Sequence, residues 1–118
     1  MEGHLTYKIG DTDRVFFFGN YALEETLNHF ETSVTDIDPL IKLKYVAFIR
    51  IFMFHAASYP ILKKGEIPDF TELDIHEWID KTGGILGDLV VNCLSEINRV
   101  LGRNNAESDT QKKSKKKS

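Results

Sequence analysis

The chain has 118 residues and a formal net charge of −3. That length corresponds to one domain with one hydrophobic core, large enough to fold without metal or disulfide staples. The charge divides unevenly: residues 1–110 hold 10 Lys and Arg against 18 Asp and Glu, and the closing "QKKSKKKS" adds five lysines, giving −8 and +5. A body of that sign repels a phosphate backbone, so only the end of the chain suits nucleic acid. Cys93 is the only cysteine, so no disulfide forms within the chain, which fits a reducing cytoplasm. The start, "MEGHLTYKIGDTD", has neither a basic region nor a long apolar run and does not read as a signal peptide.

"LTYKI" at 5–9 and "RVFFF" at 14–18 are rich in β-branched and aromatic residues, and "GDTD" between them has turn composition. A β-hairpin is expected, its apolar second strand covered on one face by the helices downstream. Gly19 ends it and Asn20 is placed to cap a helix. In "YALEETLNHF", Leu23, Leu27 and Phe30 recur at helical spacing, and "ETSVTD" breaks the pattern.

Asp38-Pro39 predicts the next helix start. From Leu40 to about Tyr59 the chain is apolar almost all round, as in a central helix surrounded by others. Its most apolar part, "YVAFIRIFMFHAA" at 45–57, is too short to span a bilayer and is interrupted by Arg50 and His55, so no membrane association is expected. Pro60 is expected to stop this helix, leaving "PILKKGEIPD" as a loop.

"FTELDIHEWID" at 70–80 predicts a helix with Thr71 as cap, Asp74 reaching back as in a capping box, and Phe70 and Ile75 as a staple. Ile75, Trp78 and Ile79 form its buried face, and "KTGG" ends it. A last helix is expected from about Ile85 to Leu101, with Leu86, Leu89, Val90, Cys93, Leu94, Ile97, Val100 and Leu101 on one face and Gly102 just past its end. The expected architecture is mainly α, with an N-terminal hairpin packed on about four helices in a single domain over 1–102. A polar, disordered tail over 103–118 completes the chain.

Catalytic and metal-binding patterns do not stand out. His4, His29, His55 and His76 are scattered, and there is no Cys-x-x-Cys, phosphate loop or nucleophile elbow. Asp74 and Glu77 lie three apart, but acids near a helix start complement its dipole. Cys93 reads as a small core residue, Arg50 as a snorkelling or ion-paired side chain, and His55 as an interior histidine. These readings point away from an enzyme and from any cofactor, towards a binding or scaffolding protein.

The order of elements resembles that of the tail assembly chaperones of long-tailed bacteriophages. The matching stretches are "LTYKIGDTDRVFFFGNYALEETLNHF", "LKYVAFIRIFMFHAASY", "PDFTELDIHEWIDKTGG" and the helix through "VVNCLSEINRVLG", together about residues 5–102. No single motif among them is diagnostic, and "DFTELDIHEWID" is the most suggestive. The resemblance implies a non-catalytic protein of the bacterial host cytoplasm, absent from the mature virion. Such proteins bind the long helical tape measure protein, keep it soluble until tail-tube subunits polymerise around it, and often self-associate. Many exist in two lengths through programmed ribosomal frameshifting, the longer form reaching the tail tube protein.

The resemblance bears on the lysines. Lysine codons are AAA or AAG, so Lys112, Lys113, Lys115, Lys116 and Lys117 require A-rich messenger, as slippery frameshift sites do. Three readings stand: a linker into a frameshifted extension, a plain solvated tail, and a nucleic-acid arm. The last supports the alternative function, a small nucleic-acid-associated regulator. For the chaperone, the candidate client- or self-association surface is drawn from the central and last helices: Phe48, Ile51, Phe52, Phe54, Val90, Leu94, Ile97 and Leu101.

Overall fold

The structure is a computed structural model and describes residues 3–102. Strands β1 (His4–Ile9) and β2 (Thr12–Phe17) form a two-stranded antiparallel sheet with His4 opposite Phe17 and Ile9 opposite Thr12. Only Gly10 and Asp11 connect them. Gly10 takes φ 64, the positive value that a two-residue primed turn demands at its first position. The helices are α1 (Asn20–His29), α2 (Ile37–Leu43), α3 (Tyr45–Lys63), α4 (Glu72–Lys81) and α5 (Asp88–Val100), with short 3₁₀ turns before α2 and α5. The hairpin-on-helices architecture is as the sequence predicts, with five α-helices in place of four. Residues 103–118, read from sequence as a disordered tail, lie outside the described residues.

α3 is the central element and touches α1, α2, α4, α5 and β2. Phe48, Ile49, Ile51, Phe52, Met53, Ala56 and Ala57 are all buried. Each large side chain so buried contributes about 1.5–3 kcal/mol relative to exposure. The hairpin's inner face supplies Phe16 and Phe18, both fully buried. Phe18 lies 6.0 Å from Phe52, and Phe16 meets the Trp78 ring edge-on at 6.0 Å. Arg14 closes this corner, its guanidinium 4.8 Å from the Trp78 ring and paired with Asp69 at 3.0 Å.

The predicted central helix departs from expectation at both ends. Helix begins at Ile37 rather than after Asp38 and breaks at Lys44, which has φ −135 and ψ 48. The break costs little hydrogen bonding: the Lys44 N–H donates to Leu40 O at 2.8 Å and its carbonyl accepts from Phe48 N at 2.8 Å. At the other end Pro60 does not stop α3, which runs on to Lys63. A proline in a helix interior loses its own backbone bond and crowds the carbonyl four residues before it, at a cost of about 3 kcal/mol. Ile61 packs against the core, and Gly65, at φ 80, turns the chain so that Glu66 N–H reaches Ile61 O at 3.1 Å.

α5 starts at Asp88, three residues later than predicted. Gly83 and Gly84 take φ 104 and 82, and a Cβ on Gly87 would collide with the Gly83 backbone, so this tight turn precedes the helix. Leu86, expected on the buried face, is therefore 86% exposed. In α1 the fully buried residues are Ala22 and Thr26, whereas the predicted Leu23, Leu27 and Phe30 pack only at the margin. Thr26 donates its hydroxyl to Ala22 O at 2.7 Å, satisfying it without a partner across the interface. Asn20 is the first helical residue and not the cap, a position held by Gly19.

Candidate binding surfaces

The sequence-derived surface set separates by depth. Phe48, Ile51, Phe52, Val90 and Ile97 are at most 1% exposed and build the core, so in this conformation they present nothing to a partner. Phe54, Leu94 and Leu101 are half-buried against that core. Periodicity identified much of the apolar face of α4 and α5, but in a chain this small those faces are spent on one another. Lys112, Lys113, Lys115, Lys116 and Lys117 lie outside the described residues.

Two other surfaces emerge. The first surrounds the α2–α3 break, where Leu43 is 81% exposed and Tyr45 and Val46 are also exposed. Lys44 leaves the helical conformation, and its neighbours are displayed in place of being packed. The sequence signal was only that "KLKYV" has apolar residues adjoining two lysines.

The second is a cleft of about 490 Å³ where the C-terminal end of α3 crosses the hairpin's outer face. His4, Phe17, Tyr59, Pro60, Lys63 and Lys64 line it. Strand alternation turns Phe17 away from the core that holds Phe16 and Phe18. Its ring stacks on Tyr59 at 5.3 Å and meets His4 at 4.7 Å. Tyr21 of α1 also meets the Tyr59 ring, at 5.3 Å between centroids. The Lys63 ammonium lies 5.9 Å from the Tyr59 ring centroid. The continuation of α3 through Pro60 creates this site. With a stop at Pro60, Lys63 and Lys64 would fall in a loop, and for that reason the sequence did not disclose the cleft.

Several titratable groups among the described residues are accounted for by burial and pairing. Cys93 is buried in α5, and burial, reinforced by Glu96, raises its thiol pKa above the usual range, which disfavours the reactive thiolate. Arg50 is engaged with Glu72 at 3.1 Å, linking α3 to the first turn of α4. His55 is half-buried against the rings of Tyr21 and Phe54, and burial lowers its pKa. Burial, with Glu25 contributing, raises the pKa of Tyr21. Asp74 accepts the Thr71 N–H at 2.8 Å, which accounts for it as a cap. Among the described residues no three His, Cys, Asp or Glu side chains lie together as a metal-holding group.

α3 has 19 residues and a mean hydropathy of 1.4, long and apolar enough by those measures to cross a membrane, and longer than the 45–57 stretch suggested. Its helical neighbours here are α1, α2, α4 and α5. Comparison of the chain with protein-family models, curated proteins and solved structures finds no match.

Proposed function

We propose that the protein is a tail assembly chaperone of a long-tailed bacteriophage, a non-catalytic cytoplasmic protein that holds the tape measure protein soluble before the tail tube forms. The resemblance in element order carries this reading: a hairpin, a largely apolar central helix, a capped acidic helix and an amphipathic last helix, over about residues 5–102. Two features support it. The acidic body keeps a complex with an aggregation-prone client in solution. The exposed Leu43, Tyr45 and Val46 provide apolar contact for the stripe of a long helix.

The client contact moves accordingly from the buried members of the sequence-derived set to the α2–α3 break. Co-expression with the tape measure protein tests both statements. The expected outcome is a soluble client that co-purifies with the chain. A Leu43→Ser/Val46→Ser variant, altered only at exposed positions and so within about 0.5 kcal/mol of the parent in stability, is expected to lose most of that solubilisation. A client equally insoluble with and without the chain would remove the proposal.

A further inference from the structure

The cleft between α3 and the hairpin joins aromatic side chains to positive charge. Its floor is aromatic, and its rim carries two adjacent lysines on a body whose residues 1–110 sum to −8. The three ion pairs among the described residues are Arg14–Asp69, Arg50–Glu72 and Arg99–Glu96, and neither Lys63 nor Lys64 takes part in one. Lys63 has an aromatic ring beneath it instead of a carboxylate. Two ammonium groups without carboxylate partners among the described residues, one of them over a ring face and both lining an aromatic cleft, complement a ligand that is apolar at its centre and acidic at its edges.

We propose that this cleft is a docking site for an acidic peptide segment of a partner protein, one that seats a single aromatic or aliphatic side chain on Phe17, Tyr59 and Pro60 between carboxylates that pair with Lys63 and Lys64. The acidic body sharpens the selection. It disfavours an acidic segment over most of residues 1–110; the lysines of 111–118 attract one too, but no aromatic residue stands among them, so dependence on the peptide's Phe distinguishes the cleft. The site is separate from the client contact at the α2–α3 break and does not depend on the chaperone reading. Nucleic acid is the less favoured occupant, because its phosphate repeat would extend from two lysines onto an acidic surface.

Fluorescence anisotropy on the full chain tests the site, using a fluorescein-labelled decapeptide with one Phe among four Glu and the remainder Ser and Gly. Saturable binding is expected, weakened several-fold when Phe is replaced by Ser. A Lys63→Glu/Lys64→Glu variant, confirmed as folded by circular dichroism, should lose roughly tenfold or more in affinity. The same variant should prefer a peptide whose Glu residues are replaced by Lys, a reversal that a variant of equal charge change elsewhere should not show. Lys42→Glu/Lys44→Glu, of equal charge change at another place, should bind as the parent does. Absence of saturable binding would overturn the proposal, as would equal weakening by the two double variants or binding indifferent to the Phe. Loss of a dimer in sedimentation on Lys63→Glu/Lys64→Glu would assign the cleft to a second copy of the chain and overturn it too.

Discussion

His55 shows how one side chain can register pH through the fold. It lies half-buried on α3 against Tyr21 and Phe54, and burial holds its pKa below the ordinary 6.5, while Glu25 and Glu72 pull the other way and His29 adds to the lowering. A histidine with a depressed folded pKa is protonated first in the unfolded chain. Acidification through about 6.5 and towards the folded value therefore draws the equilibrium towards unfolding. Stability from this residue is intact above that window and lost through it. Urea midpoints measured from pH 8 to pH 5 are expected to fall across the window in the parent and to fall less in His55→Gln. Parallel pH profiles for the two would show that His55 does not contribute. The sequence placed His55 in the interior, but of its ring neighbours only Phe54 is on α3; Tyr21 and the acids that counter its shift come from α1 and α4, which spacing along α3 cannot reveal.

Among the elements, α4 shows what local sequence determines and α3 what it does not. The boundaries of α4 were legible because its start is written in adjacent residues: Thr71, Asp74 and the apolar pair Phe70 and Ile75, both buried as a staple requires. The Asp74 carboxylate accepting Thr71 N–H at 2.8 Å satisfies a donor that the helix itself leaves open. Asp74→Ala is expected to cost about 1 kcal/mol, read as a lower urea midpoint with unchanged slope. Asp74→Glu, able to make the same reach, should recover most of it, and an Ala variant as stable as the parent would show that the box is energetically idle. The ends of α3 had no such local script. Its break falls at Lys44, where neither Gly nor Pro stands, and its last turn passes through Pro60 because Ile61 packs on the core and Gly65 caps the end. The packing of Ile61 on the core is a contact that the neighbouring residues do not announce. The start of α5 failed differently: Leu86 matched the apolar period, but the glycines at 83, 84 and 87 impose a turn that overrides it.

For the molecule as a whole, the same economy governs core and site. Periodic apolar residues identify what is buried, and a chain of this size needs nearly all of them for a single core. The residues left for recognition are those whose exposure the pattern did not reveal: Leu43 and Val46 beside a break, and Phe17 on the outward face of a strand. Charge adds a second division, between an acidic body and five lysines within 111–118. If those lysines serve as an arm, their charge matters; if they record a slippery messenger, their codons do. The two can be separated without altering the protein. The native gene with its downstream DNA, expressed with an N-terminal tag and blotted, is expected to yield a second, longer band alongside the 118-residue product. Synonymous recoding of Lys112–Lys117 leaves every lysine in place and is expected to abolish that band. A single band in both cases would leave the lysines to be explained by their charge. Nucleic-acid binding that weakens steeply with salt and disappears on deleting 111–118 would then favour the regulator over the chaperone.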